Sequence, residues 1–195
     1  MPHSAQNHTT DVGHVVGGLF GLVFVIANTG PLDQAVRTVA IVVACLAFAF
    51  VVIAFILSIR AGARPSADQG ERLEKRYLLI VAVETVALFG GLAILRPIEP
   101  AVTLGWIALV VGLHFFPFVS LWPRGRTQFY VLGTTLAVLG VIGLILAFTT
   151  HEGELVALVS GLGSGIALLA LGVVSGMLSV QSTVAAGHEP REPVS

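Results

Sequence analysis

Charge is what this sequence has least of. Only 11% of its 195 residues are Asp, Glu, Lys or Arg, while 55% are hydrophobic; a typical soluble domain is about 25% charged. A soluble fold of this length has too little interior to hide that much apolar surface, so lipid is the expected solvent. Basic residues form no stripe and the net charge is -1, so nucleic acid is not an expected partner. Cysteine is nearly missing as well. The lone Cys45 lies in an apolar run; it excludes an intramolecular disulfide and reads as a packing residue rather than a redox or ligand group. The amino-terminal stretch MPHSAQNHTTDVGH has no Lys or Arg, so the first apolar run is expected to be an uncleaved span and not a signal peptide. No P-loop, GxSxG, HExxH or paired CxxC occurs. A soluble-type active site is therefore not expected, nor any cofactor or structural metal.

What is present is a series of apolar runs, each near the roughly 20 residues that cross the hydrocarbon core. They predict an all-α fold, a polytopic transmembrane bundle of six spans at 14–29, 35–60, 77–96, 101–122, 128–149 and 154–181. Residues 1–13 and 182–195 form tails, the second expected to be disordered. Breaks are well marked. Asn28-Thr29-Gly30-Pro31 ends the first run, and Pro31 with Asp33 suits the start of the second. Arg96-Pro97-Ile98-Glu99-Pro100 makes a stiff turn between the third and fourth. Pro123-Arg124-Gly125-Arg126 and His151-Glu152-Gly153-Glu154 separate the remaining spans.

Basic residues set the expected orientation. Arg60, Arg64, Arg72, Lys75 and Arg76 cluster in one connection and Arg124 and Arg126 in another, whereas the alternate connections hold only Arg37 and Arg96. The positive-inside rule then predicts a multi-pass cell-membrane protein with both termini cytoplasmic. Trp106 falls near the outer interface and Tyr77, Trp122 and Tyr130 near the inner one. Trp106 to Trp122 spans about 24 Å as helix, close to one hydrocarbon thickness. Glu71, Arg72, Glu74, Lys75 and Arg76 read as a solvated extension of the third helix, with contact to anionic lipid headgroups as the sharper alternative. Three plus three spans would suit an inverted repeat, but residues 14–96 and 101–181 share no motif.

One carboxylate breaks the pattern: Glu84 lies inside the third run, where a charge is costly and marks a functional candidate. Counted from the cytoplasmic ends, Glu84 is about 10 Å deep, His114 about 12 Å, and Thr134 and Thr135 about 9–10 Å. Ser175 falls at a similar level. These five residues are expected to form a polar layer and a candidate proton site. Ala87 and Gly91 continue the Glu84 face and permit close helix approach. Pro117, three residues beyond His114, frees the Leu113 carbonyl and is a candidate hinge. The plainer alternatives are a snorkelling or hydrogen-bonded Glu84, a satisfied interior His114, a static kink at Pro117 and ordinary packing for the hydroxyls.

Other candidates carry less chemistry. His3, His8 and His14 match no rigid metal spacing, and His151, Glu152 and Glu154 read as solvated. Gly161 with Gly165 and Gly172 with Gly176 form two small-xxx-small pairs that mark helix packing, with a dimer face as one use. The segment GLHFFPF at Gly112–Phe118, with Tyr130 and Gly133 after it, resembles a motif of small uncharacterised prokaryotic multi-spanning membrane proteins. That group has no named activity, so the resemblance transfers no functional residue.

Two functions remain open at this point. The first is a small-solute or proton-coupled transporter or channel built on Glu84 and His114, with the bilayer and a small molecule or ion as partners. The second is a non-catalytic membrane subunit or assembly protein, for which a homo-oligomer through the glycines of the last span is the expected contact. An intramembrane enzyme is the remote third.

Overall fold

The computed structural model describes residues 9–10, 13–60, 64–65, 71–121 and 126–187. Apart from a two-residue parallel pairing of Thr9–Thr10 (β1) with Arg64–Pro65 (β2), these residues build helices and their short connections. Helix α1 is Gly13–Asn28, α2 is Gln34–Arg60, α3 is Glu71–Leu95, α4 is Val102–Leu121 and α5 is Arg126–Thr150. The last run is a single rod in three parts: α6 (Gly153–Val156), a π-helical segment (Ala157–Leu162) and α7 (Gly163–Gly187). Five of the six runs are long and apolar enough to cross a membrane, and α1 is a shorter apolar helix. The chain is a helical bundle of membrane type, and the apolar side chains exposed along α2 and α3, such as Val39, Leu46, Val86 and Phe89, suit contact with lipid.

Local chemistry explains the boundaries. Asp33 caps α2, its Oδ1 accepting the N–H groups of Ala35 at 3.0 Å and Val36 at 3.2 Å. The α3–α4 turn closes on itself through Ile98 N–H and Glu99 N–H, both donating to the Leu95 carbonyl at 3.0 Å. His151 ends α5 in the left-handed region, with φ 58, and its N–H donates to the Ala147 carbonyl. Helix α3 begins at Glu71, so the stretch from Glu71 to Arg76 extends the third run as expected, whereas α7 continues past the expected bound at Gln181 to Gly187. Residues 188–195, most of residues 1–13, and Trp122 and Arg124 lie outside the described residues.

Packing divides the bundle into two groups. Helix α7 returns to α1 and α2, while α5 packs along α4 in the most extensive contact of the fold. Small residues set both interfaces, because lipid supplies no hydrophobic force between helices and close approach must substitute. On α4 and α5, a Cβ at Gly105 would meet Leu144 N at 2.8 Å and one at Gly133 would meet Gly112 O at 2.9 Å. Gly112 and Gly140 lie tighter still against the backbones of Ala137 and Leu109. Between α1 and α7, Gly21 and Gly165 face each other's carbonyls at 2.9 Å from a hypothetical Cβ. The π-helical segment joins the groups, touching α1, α4 and α5. Helix α3 is the exception. It packs chiefly on α4 and has no buried residue in its spanning window.

Candidate functional site

The stiff 96–100 turn folds α3 back antiparallel to α4, and the seam between them holds the two residues singled out by charge. His114 Nδ1 lies 2.8 Å from Glu84 Oε2. Their side chains are 12% and 22% exposed, so both are largely withdrawn from the surface. The atoms are in ion-pair contact without the alignment of a hydrogen bond, and no hydrogen bond satisfies Nδ1 among the described residues. The α3 face that reaches α4 continues from Glu84 through Ala87 to Gly91, each half-buried.

Aromatic rings enclose the histidine. Phe118, one turn on along α4, meets the His114 ring edge-on at 4.2 Å between centroids, and Phe115 does so at 5.7 Å. Tyr77 of α3 stacks on Phe118 at 5.7 Å, and Phe129 of α5 reaches both Phe115 and Phe118. Phe118 and Val119 are buried. The site is thus one carboxylate and one imidazole among aromatic rings, whose faces, though not their edges, attract a positive charge.

A second contact pins α3 nearer the opposite end. The Trp106 ring fills the notch left by Gly91, and its indole N–H donates to the carbonyls of Ala87 at 3.2 Å and Leu88 at 3.3 Å. Sequence reading took Trp106 as an interfacial anchor; the missing Cβ at Gly91 was the available signal for this contact.

The remaining members of the expected layer sit elsewhere. Thr134 is exposed and Thr135 half-buried on α5; neither makes a hydrogen bond to the pair. Ser175 is buried on α7, and its Oγ has no hydrogen-bond partner among the described residues. Helix α7 belongs to the other half of the bundle, beside α1 and α2. Depth alone grouped these residues; the rotation of each helix separates them. Pro117 is exposed, α4 runs on through it, and Ser120 Oγ donates to its carbonyl at 2.7 Å.

The glycines of the last run pack inside the chain. Gly161 lies against Asn28 of α1, Gly165 against Gly21 and Val25, Gly172 against Val51 of α2, and Gly176 against Ala54 and Phe50. Buried polar groups missed by sequence reading accompany them: Ser160 Oγ donates to the Leu139 carbonyl at 2.8 Å, and Ser58 and Ser179 pair through their hydroxyls at 2.6 Å. His14 Nε2 is 3.5 Å from Gln128 Oε1, linking α1 to α5. His3 and His8 lie outside the described residues, and no cluster of three or more His, Cys, Asp or Glu that could hold a metal occurs among the described ones.

One ion pair was missed altogether. Glu99 Oε2 contacts His151 Nδ1, tying the α3–α4 turn to the α5–α6 turn. Glu99 Oε1 also accepts the Ala101 N–H at 3.0 Å. That backbone bond first, and the His151 contact second, hold the Glu99 carboxyl below the usual carboxylate range. The signal was legible: a carboxylate between two prolines, and a histidine in the other turn at the same end of the bundle. No family model, curated protein or solved structure matches the chain.

Proposed function

We propose that this chain is a small proton-coupled membrane transporter whose proton site is the Glu84–His114 pair. One observation carries the reading: the carboxylate inside the third run and the imidazole inside the fourth stand 2.8 Å apart. A charge at that depth costs several kcal/mol unless partnered, and histidine is the side chain whose charge changes near neutral pH. Such a pair can hold or release one proton while staying in contact. The slight attachment of α3, which packs chiefly on α4 and buries no residue of its window, supplies an element able to move when the charge changes.

The basic connections favour a cell-membrane orientation with both termini inside, which sets the pair in the cytoplasmic third. The competing role of a non-catalytic subunit loses its main motive, since Gly161, Gly165, Gly172 and Gly176 are occupied by α1 and α2.

The test is proton movement in proteoliposomes of the purified chain, followed with a trapped pH dye. A panel of cationic, neutral and anionic solutes is applied on the outside. Wild type is expected to move protons in response to at least one solute class, and Glu84→Gln to move none. Solute-driven proton movement that survives Glu84→Gln would refute the assignment, as would wild-type vesicles that behave like empty ones throughout.

A further inference from the structure

Resting on the transporter reading, and deepening it, we propose that the α3–α4 seam at Glu84 binds a monovalent lipophilic organic cation in exchange for a proton. The site already shows how it receives such a group. A protonated imidazole is itself a small flat organic cation. Here the His114 ring sits with a carboxylate at 2.8 Å on one side and the rings of Phe118 and Phe115 at 4.2 and 5.7 Å on others. His114 therefore occupies the place of the ligand's charged centre, and a ligand that reaches Glu84 displaces it.

The lining selects the chemical class. Hard metal cations need about six or more oxygen ligands, and no group of three or more metal-binding side chains exists among the described residues. An anion would meet the carboxylate. A polyhydroxylated neutral solute would find aromatic and aliphatic walls where it needs hydrogen-bonding groups. A cation bearing apolar or aromatic substituents satisfies both features, its charge on Glu84 and its rings against Phe118 and Tyr77.

Entry is from the side. Glu84 keeps 22% of its side chain accessible, and the outward side of α3 around it is apolar, with Val83 and Val86 exposed. A lipophilic cation dissolved in the bilayer meets this surface directly. Helix α3 is held at its far end by the 96–100 turn and the Trp106 contacts. Its nearer half is held to α4 by the Glu84–His114 pair and the Tyr77–Phe118 stack.

The exchange balances in charge. One cation enters, and one proton held at the Glu84–His114 pair leaves to water. Among the described residues, the titratable groups facing the seam are Glu84 and Tyr77 from α3 and His114 from α4; α5 contributes Phe129.

The experiment is titration calorimetry of the full chain in detergent with tetraphenylphosphonium, in buffers of differing ionisation enthalpy that reveal proton release. Saturable binding at about pH 8 is expected, weaker at about pH 5.5 by up to roughly tenfold per unit of pH, with about one proton released per cation. Glu84→Gln is expected to bind none, and Glu84→Asp to restore weaker, still pH-dependent binding. His114→Ala should bind more tightly because the internal competitor is gone. Phe118→Leu, which keeps the volume, should weaken binding by roughly threefold to thirtyfold. Unchanged binding in Glu84→Gln, or no saturable binding by a monodisperse wild type, overturns the proposal. Proton movement driven by other solutes without tetraphenylphosphonium binding would overturn the substrate class and leave the transporter standing. Binding with proton release but no transport would do the reverse.

Discussion

Two glutamate–histidine contacts occur among the described residues, made from the same atoms and set in opposite surroundings. Glu84–His114 lies between two spans, with side chains 22% and 12% exposed. Glu99–His151 lies at the turns, with the histidine 67% exposed and the glutamate 11%. The histidines differ in exposure, and the carboxylates differ in their hydrogen bonds. Glu99 has the Ala101 N–H on its other oxygen, so its charge is stabilised before His151 arrives. Among the described residues no backbone N–H donates to the Glu84 carboxylate, since helical N–H groups are already committed, and His114 is its partner. Backbone donors are available where a chain turns and absent where it spans. The same side-chain pair is thus an accessory at one place and the whole of the electrostatics at the other.

The largest expected difference between the two follows from removing each histidine. His114→Ala strands a carboxylate inside the bundle and should destabilise the protein by about 1–3 kcal/mol. His151→Ala removes an exposed partner and should cost within about 0.5 kcal/mol. Unfolding of the purified variants in matched detergent at neutral pH reads both; equal losses would abolish the distinction.

Gly91→Val sharpens the comparison by disturbing the inner pair without touching it. Its added side chain collides with the Trp106 ring, so α3 must shift on α4. The variant should lose part of the pH-dependent proton movement and shift Trp106 fluorescence, while a Glu99–His151 double-mutant cycle stays unchanged. Full pH-dependent activity in Gly91→Val would mean that the α3–α4 seam tolerates displacement.

The smallest effect belongs to acid. The folded-state pKa of Glu99 is depressed by the Ala101 N–H and by His151. Its stabilisation is therefore present above the ordinary carboxylate range and is lost as pH falls through the lowered value. Melting temperatures measured downward from pH 6 should fall slightly less steeply in Glu99→Gln than in wild type. A steeper fall in the variant would give the linkage the opposite sign.

Much of the site was legible before folding. Glu84 stood out by charge, His114 by depth, and the 96–100 turn made their helices neighbours. Thr134, Thr135 and Ser175 were grouped with them by depth, yet none joins the pair. The glycine notches of α4 and α5 went unread, while those of the last run were noticed and assigned to packing with a dimer face as one use. Their neighbours are α1 and α2.

The sequence by itself determined the class, the six helical runs, the capping Asp33 and the turns, because each depends on local length, charge or backbone chemistry. Hydrocarbon thickness demands a run of a certain length, and charges mark where it ends. Only the tertiary structure decided which face of each helix meets which neighbour. In a soluble helix the polar side reports rotation about the axis. In these runs the lipid-facing and protein-facing sides are equally apolar, so rotation leaves little periodic trace. Contacts such as Gly21 with Gly165, Trp106 with Gly91 and Glu99 with His151 are settled when the helices pack, because close approach of small residues holds them together in lipid.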